Sequence, residues 1–320
     1  MQIPEPAITV LMPAYNTGKY IDTAIRSVLA QHFSNFELLI INDGSTDDTE
    51  QVIRSFSDPR IRLINQQNQG IAAALNLGLL NANAALVARF DADDICLPTR
   101  LQEQFDFMQA HPQHIIVGSD ALYIDRDGEY VFAHRMAAHT HEEITALPAL
   151  QCPFIHSAVL YRKAPIMEAG GYNTHALAFE DHLLWSIILK QGKAANISNP
   201  LLQVRLNPES VSIDEKWRTR RFREIKSKAL QTGLITAEEG EELHSILQRQ
   251  NNYRIKEGAY YSLLGKKYLW DNHQPEKARA SLIKAIRIHP ARLDSYAIWL
   301  LSIFPAGFIQ WVYQHFKQQA

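Results

Sequence analysis

Apolar runs and helical spacings alternate along the first hundred residues. Four short apolar runs predict buried strands, at 8–13, 36–41, 61–64 and 85–90. Apolar residues at three- and four-residue spacing predict helices between them, at about 21–29, from 45–46 to 56, and at 70–80. Strands that alternate with helices through short links predict an α/β fold, with a mixed, mostly parallel sheet flanked by helices.

The remaining pattern is looser and then becomes helical. It predicts strands at 115–117, 157–161 and 201–205, a turn at 125–128, and helices at 98–110 and after 180–181. Strand signals stop after about residue 213, and helices are predicted at about 236–250, 252–270 and 275–288. We therefore predict a first domain over 1–213 and a helical C-terminal extension over 214–320.

Composition places the chain among globular proteins and narrows its partners. Hydrophobic residues make up 46% and charged residues 21%, and 32 basic against 34 acidic residues give a net charge of −2, which excludes a globally basic nucleic-acid-binding protein. The two cysteines, Cys96 and Cys152, form no CxxC pair, which argues against a disulfide scaffold and predicts a reducing cytoplasm. The N-terminus lacks a basic segment followed by an apolar one, and no run of 18 apolar residues occurs, so neither a signal peptide nor a spanning helix is expected.

Polar clusters follow the predicted strands at one edge of the sheet. They are Pro13-Ala14-Tyr15-Asn16, Asn42-Asp43-Gly44-Ser45, Asn68-Gln69-Gly70 and Asp91-Ala92-Asp93-Asp94. Open α/β sheets bind ligands at the carboxyl ends of their strands. Each cluster alone could be a turn, but together they predict a binding site.

The acidic cluster at 91–94 indicates a divalent cation. Its carboxylates Asp91, Asp93 and Asp94 repel one another unless a cation is near, and oxygen ligands suit Mg²⁺ or Mn²⁺. Such ions usually bind through one or two carboxylates together with substrate phosphates, which indicates a diphosphate ligand. The chain has no P-loop and no GxGxxG after its first strand, so a metal is the expected counter-charge. The alternative is an acidic cap for the helix that follows.

The ordered set of motifs resembles the inverting, GT-A-fold nucleotide-diphospho-sugar glycosyltransferases of family 2. The resemblance covers about the first 210 residues, through ITVLMPAYN, FELLIINDGSTDDT, NQGIAAALNLGL, ARFDADDICLPTRL, IHSAVLYRK, GGY and FEDHLLW. It implies that Asp43 hydrogen-bonds the base, that Asp93 coordinates Mn²⁺ or Mg²⁺, that Asp91 binds the ribose or the metal, and that Asp181 is the catalytic base. The remaining positions implied to bind nucleotide or substrate are Pro13, Ala14, Tyr15, Asn16, Gly70, Ala92, His156, Glu180 and Arg205.

The resemblance implies transfer of a single sugar, with a UDP-sugar as the expected donor, to a glycan or lipid-linked acceptor in bacterial surface polysaccharide biosynthesis. The absence of a QxxRW motif argues against a processive synthase. Two positions depart from the common pattern, because Asn207 replaces a histidine that is a candidate metal ligand and His182 replaces a tyrosine. Asp181 could also act as an N-terminal cap of its helix. The rival functions are a sugar-1-phosphate nucleotidyltransferase and a catalytically inactive sugar-binding or scaffold protein.

Two C-terminal segments raise the question of a membrane. The run 216–228 is rich in Lys and Arg, and 296–313 is apolar with tryptophan and tyrosine residues. They predict peripheral contact with the cytoplasmic face of a membrane. The alternatives are a solvated helix face for the first segment, and a helix packed on the enzyme or in a dimer contact for the second.

Overall fold

A computed structural model describes residues 5–208, 218–305 and 307–311 of the 320-residue chain. Its strands are β1 (Ile8–Ala14), β2 (Phe36–Asp43), β3 (Ile61–Gln66), β4 (Leu86–Arg89), β5 (Ile95–Cys96), β6 (His114–Ile124), β7 (Tyr130–His134), β8 (Leu160–Arg162) and β9 (Lys193–Arg205). The helices up to residue 188 are α1 (Gly18–Leu29), α2 (Thr49–Arg54), α3 (Ile71–Asn81), α4 (Arg100–Ala110), α5 (His141–Thr145), α6 (Lys163–Glu168) and α7 (Glu180–Ile188). The later helices are α8 (Arg220–Thr232), α9 (Ala237–Gln250), α10 (Tyr253–Trp270), α11 (Pro275–Ile288) and α12 (Leu293–Leu301).

The strands form one mixed sheet in the order β3-β2-β1-β4-β8-β6-β9-β5, with β7 paired to β6. The first four strands in this order are parallel, with Ile8 opposite both Phe36 and Leu86. Antiparallel pairing joins β4 to β8, β8 to β6, and β5 to β9. The carboxyl ends of β1, β2, β3 and β4 therefore lie at one edge, and the predicted α/β class is confirmed.

Strand β1 is buried along its whole length because both faces of the sheet are covered. Val10 and Met12 pack in one hydrophobic cluster with Ile25 of α1. Leu11 points to the other face and packs in a second cluster with Leu75 of α3. A strand between two helical layers needs apolar residues at every position, which explains the continuous apolar run in the sequence.

Several predicted elements differ in extent from those observed, and the strand expected at 201–205 is the last part of the longer strand β9. The helix expected from 45–46 begins at Thr49, because Ser45 and Thr46 hydrogen-bond to Asn16 in a loop. The strand expected at 115–117 extends over all of β6, and the strand expected at 157–161 is a 3₁₀ turn over His156–Ala158 followed by β8. In each case tertiary contacts changed the boundary that a local pattern had indicated.

The chain divides into two compact units that do not follow chain order. The first contains 1–121, 134–204 and 221–243, and the second contains 122–133, 205–220 and 244–320. The predicted division at residue 213 follows chain order and stays a prediction.

The second unit is built around the helices α10 and α11. Tyr260 and Leu264 of α10 are buried in its hydrophobic cluster. Gly265 allows close packing, since a Cβ atom at this position would collide with Leu282 of α11. Arg126, in the turn before β7, donates to Glu257 at 2.9 Å and its guanidinium lies 4.5 Å from the centre of the Tyr260 ring. Within the described ranges, no helix is both long and apolar enough to cross a membrane.

Candidate active site

The loops after β1 and β2 are tied together by Asn16. This residue has a left-handed φ of 51°. Its backbone N–H donates to Ser45 Oγ at 3.0 Å, and its side-chain Oδ1 accepts from the Thr46 N–H at 2.8 Å. Tyr15 beside it is 48% exposed. Its exposed ring suits the predicted position beside a nucleotide base, whereas Asn16 has a clear structural task.

Pro13 and Ala14 are buried at the end of β1, where Ala14 pairs with Asn42 of β2. They set the position of the exposed Tyr15. In the predicted nucleotide pocket, Pro13 and Ala14 would therefore contribute through their backbone and through the shape of the strand end.

Asp43 is buried at the end of β2 and holds the start of α3. Its Oδ1 accepts from Gln66 Nε2 at 2.6 Å and from the Gln69 N–H at 2.9 Å, and its Oδ2 accepts from the Gly70 N–H at 2.9 Å. Gly70 has a φ of +86°, a backbone conformation that glycine adopts without strain. A hydrogen bond from Asp43 to a base, as predicted, would share the carboxylate with these three donors.

The acidic cluster lies directly after β4 and is paired with a buried arginine. Arg89, the last residue of β4, is 1% exposed and forms an ion pair with Asp91 through Nη1 and Oδ2. Asp93 is half-buried, whereas Asp94 and Ala92 are buried. Burial lowers the pKa of Arg89, but Asp91 outweighs it, so the pKa is raised overall and the guanidinium stays charged. The charge repulsion inferred from the sequence is therefore offset in part by the protein itself.

The second pair of acids, Glu180 and Asp181, begins helix α7. Glu180 is buried, whereas the Asp181 side chain is 21% exposed, and Asp181 Oδ2 lies 4.0 Å from His156 Nδ1. Within the described part of the chain, one donor atom each from His156, Glu180 and Asp181 lie within 4.8 Å of one another. The positive charge of Arg89 acts on all three groups and disfavours a further cation among them.

Burial shifts the protonation of these three groups. It raises the pKa of Glu180 to about 7, with a further contribution from the charge of Asp181. It also raises the pKa of Asp181, while Arg89 and Lys226 oppose the shift. Burial and the charge of Arg89 lower the pKa of His156 well below its usual value, so this imidazole is neutral near pH 7. A part-exposed carboxylate with a raised pKa is suited to general base catalysis.

The donor atoms after β4 fit a divalent cation better than those around Asp181. Asp93 and Asp91 offer the oxygen ligands that Mn²⁺ and Mg²⁺ prefer, although the Asp91 Oδ2 atom is engaged by Arg89. The metal-binding roles of Asp93 and Asp91 both stay predictions.

Arg205 and Asn207 lie in the second unit. Arg205 is buried, and its Nη1 donates to the backbone oxygen of Asp125 at 3.1 Å and to that of Arg126 at 3.3 Å. These bonds fix the turn before β7 within that unit. A role for Arg205 in substrate binding stays a prediction.

Helix α8 keeps most of its basic side chains exposed, which agrees with the alternative of a solvated face, but one of them is buried. Lys226 is buried, and its charge acts on the Asp181 carboxyl group of the same unit. Arg221 pairs with Glu242 at 2.9 Å, and Lys228 pairs with Glu239 at 2.7 Å. The run is therefore partly buried and partly paired with acids. Residues 216 and 217 lie outside the described residues.

Sequence reasoning missed two buried residues of this site. Arg89 stands at the end of an apolar run, just before three acids. A basic residue at that position of a buried strand was the signal that could have identified it. Tyr172, whose hydroxyl lies 3.2 Å from His156 Nε2, is the tyrosine of the GGY motif, to which the sequence analysis assigned no role. Its contact with His156 depends on packing that no local pattern encodes.

Comparison with known proteins shows that the sequence is similar to glycosyltransferases. The sequence profile of glycosyl transferase family 2 matches residues 9–169. An uncharacterized glycosyltransferase of Haemophilus influenzae is 32% identical over 210 residues, which cover 64% of this chain and 78% of the relative. The amylovoran biosynthesis glycosyltransferase AmsE of Erwinia amylovora is 28% identical (65% and 80% covered), and the O-antigen biosynthesis glycosyltransferase WbnJ of Escherichia coli is 28% identical (63% and 81% covered).

Solved structures agree on the fold at low sequence identity. Staphylococcus aureus TarS 1–349 in complex with UDP-GlcNAc has a TM-score of 0.54 at 18% identity, covering 98% of this chain and 92% of that one. The mannosyltransferase PcManGT of Pyrobaculum calidifontis, in complex with GDP-Man and Mn²⁺, has a TM-score of 0.54 at 18% identity, covering 97% and 84%. The predicted GT-A architecture is confirmed, and the chain belongs to glycosyl transferase family 2.

Proposed function

We propose that this glycosyltransferase transfers a single hexose, with inversion, from a UDP-sugar to a glycan or lipid-linked acceptor in bacterial surface polysaccharide biosynthesis. The observation that carries the proposal is the position of Arg89. This buried guanidinium pairs with Asp91, and its charge also acts on Glu180 and Asp181. The candidate diphosphate site and the candidate base thus meet at one buried charge. The names of AmsE and WbnJ support a role in polysaccharide assembly.

In the proposed reaction, the acceptor hydroxyl oxygen forms a bond to the anomeric carbon while the bond from that carbon to the diphosphate oxygen breaks. The electron pair of the broken bond leaves with the diphosphate. The proton of the hydroxyl passes to the Asp181 carboxylate, whose 21% side-chain exposure leaves it open to an acceptor. One displacement on the opposite face inverts the anomeric configuration.

Asp93, with Asp91, would hold Mn²⁺ or Mg²⁺ beside the donor phosphates. When bound, such an ion stabilises the charge that develops on the leaving diphosphate. The chain itself contributes the fixed position of Asp91, which Arg89 holds by the ion pair. The Mn²⁺ complex of PcManGT supports this assignment.

The first test is a donor screen. Binding and hydrolysis of UDP-, GDP- and dTDP-sugars should be measured with Mn²⁺ and with EDTA. We expect a UDP-sugar to bind best and only with the metal present. Equal binding of every donor in EDTA would contradict the metal and donor assignments.

The second test separates the base from the metal site. Asp181→Asn should abolish transfer while donor binding persists, because only proton removal is lost. Asp93→Ala should lose both transfer and Mn²⁺-dependent donor binding. Asp106→Asn, at an exposed acid of α4 that accepts from Gln102 Nε2 at 2.9 Å and 3.0 Å, serves as the matched control. Activity retained in both site variants would contradict the assignment of the base to Asp181 and of the metal site to Asp93.

The rival functions now stand differently. Membership of glycosyl transferase family 2 argues against a sugar-1-phosphate nucleotidyltransferase. A sugar-binding protein without activity would bind the donor but show no transfer and no donor hydrolysis with any metal. The donor screen distinguishes it from the proposed enzyme.

Peripheral membrane contact is a separate part of the proposal. In the second unit, Phe304, Phe308 and Trp311 are each more than two-fifths exposed, and their rings follow one another at centroid distances of 4.8 and 6.0 Å. Exposed aromatic rings of this kind suit the interface of a bilayer. Residues 306, 312 and 313 of the predicted segment 296–313 lie outside the described residues.

Vesicle co-sedimentation tests this contact. We expect the protein to pellet with vesicles that contain phosphatidylglycerol, and Phe308→Ser to reduce the bound fraction. Tyr253→Ser, at an aromatic residue of the same unit that is 67% exposed, is the control and should leave binding unchanged. Equal loss in both variants, or no binding at all, would argue against the aromatic segment as a membrane contact.

A further inference from the structure

Tyr172 is a buried residue with a hydroxyl group directed at His156, which lies beside the candidate base Asp181. Its side chain lies in the segment between α6 and α7 and is 1% exposed. The hydroxyl lies 3.2 Å from His156 Nε2 and 3.5 Å from the Tyr161 hydroxyl. On the opposite side of the imidazole, His156 Nδ1 lies 4.0 Å from Asp181 Oδ2. Tyr172, His156 and Asp181 therefore form a continuous row.

Helix α3 fixes the backbone of Tyr172. Asn76 donates from Nδ2 to the Tyr172 carbonyl oxygen and accepts at Oδ1 from the Tyr172 N–H, both at 2.8 Å. Gly171, with a φ of +73°, permits this approach, because a Cβ atom there would lie 2.5 Å from Asn76 Oδ1. The position of the Tyr172 ring is thus set by two bonds from a helix of the parallel part of the fold.

The row restricts which imidazole nitrogen carries the proton. A neutral imidazole has one N–H, so one nitrogen donates and the other accepts. The ionised carboxylate of Asp181 favours the N–H at Nδ1, the nitrogen that faces it. His156 Nε2 must then accept, and the Tyr172 hydroxyl is the donor within reach. The Tyr161 hydroxyl is the other acceptor near the Tyr172 hydroxyl, but at 3.5 Å it is the more distant of the two, against 3.2 Å for His156 Nε2.

We propose that Tyr172, held by Asn76, is a positioning residue that fixes the Nδ1–H tautomer of His156 toward the Asp181 carboxylate. The proposal rests on the proposed function only in treating Asp181 as the base. With Nδ1–H toward it, the ionised form of Asp181 is favoured electrostatically across the 4.0 Å that separate the two atoms. With the other tautomer, a lone pair would face the carboxylate and disfavour the ionised form.

Other charged and titratable groups also act on the Asp181 carboxyl group and contribute to its pKa in the wild type. They are Arg89 at the end of β4, Lys226 of α8, and Glu180 and His182 beside it on α7. The Tyr172 hydroxyl itself remains protonated, because burial raises its pKa well above the ordinary value. Each of these groups is still present when the Tyr172 hydroxyl alone is removed.

The test compares Tyr172→Phe with Tyr161→Phe. Each variant removes one buried hydroxyl and keeps the ring, but only the Tyr172 hydroxyl contacts His156. We expect Tyr172→Phe to lower kcat about three- to tenfold, the worth of one hydrogen bond, with the donor KM unchanged. The acid limb of the kcat profile should move to higher pH, because the base ionises less readily. Tyr161→Phe should leave both the profile and kcat close to wild type.

Nitrogen-15 NMR of the histidine side chains gives a readout that needs no turnover, with the His156 signals assigned from His156→Gln. We expect the proton on Nδ1 in the wild type and a mixture of tautomers in Tyr172→Phe. Asn76→Ala removes no atom of the row but releases the Tyr172 backbone, so it should give a smaller shift in the same direction. A wild-type proton on Nε2, or equal kinetic effects in the two tyrosine variants, would overturn the inference. Activity retained in Asp181→Asn would instead refute the proposed base, while the tautomer result would still stand.

Discussion

Glu180→Gln should change how the stability of the protein depends on pH. Burial raises the pKa of Glu180 from its ordinary 4.5 to about 7 in the folded chain. Between these two values the folded state keeps a proton that the unfolded state has released, so the free energy of unfolding falls as pH rises. A pKa difference of one is worth about 1.4 kcal/mol, which gives a loss of about 3 kcal/mol across this window. Glutamine does not titrate, so the variant lacks this loss.

The assay is urea unfolding at pH 4.5 and pH 8, followed by tryptophan fluorescence. Trp185, which is fully buried in α7, reports on the region directly. The variant should gain about 3 kcal/mol relative to the wild type between the two pH values. The difference between the proteins cancels groups that titrate identically in both. If the free energies of unfolding of wild type and variant differ by the same amount at pH 4.5 and at pH 8, burial does not raise the pKa of Glu180 as argued.

Glu37→Gln supplies a matched control of opposite sign. Glu37 is also buried, and burial alone would raise its pKa, but bonds from Thr9, the Asn83 N–H and Arg62 lower it overall. The stability that this carboxylate contributes is present above pH 4.5 and is lost as the pH falls through its lower folded pKa. Glu37→Gln should therefore have a lower free energy of unfolding than the wild type at neutral pH, and this difference should become smaller as the pH falls.

Two further predictions concern the edge of the sheet and its packing. Asp43→Asn leaves one acceptor oxygen for the N–H groups of Gln69 and Gly70, so the free energy of unfolding measured in urea should fall by about 1–3 kcal/mol. The UDP affinity measured by calorimetry should also fall, and an unchanged affinity would argue against Asp43 as part of the nucleotide site. Gly78→Ala places a Cβ atom against Leu11 and should cost about 1–3 kcal/mol, with an unchanged urea midpoint as the contrary result.

The sequence was most informative where the structure depends on local pattern. The strands β1 and β2 could be predicted because both faces of each are covered, which requires unbroken apolar runs. The roles of Asp93 and Asp181 could be proposed because the chain resembles family 2 at motifs that lie at the end of β4 and at the start of α7.

The features that could not be predicted depend on contacts between distant segments. Arg89 and Asp91 are close in sequence, but that the guanidinium is buried follows from the packing around β4. Tyr172 reaches His156 only because Asn76, 96 residues earlier, binds its backbone. Lys226 was grouped with a solvated basic face, although the fold of α8 buries it. Charge and composition alone give no sign of such burial.

The link between the first two loops has a consequence for the energetics of donor binding. Asn16 joins the loop after β1 to Ser45 and Thr46 in the loop after β2, so both loops lose conformational entropy when the chain folds. A nucleotide that enters beside Tyr15 then meets a surface that is already ordered, and little of its binding energy is consumed in arranging it. Donor affinity at this edge should consequently depend more on the enthalpy of new contacts than on the ordering of loops.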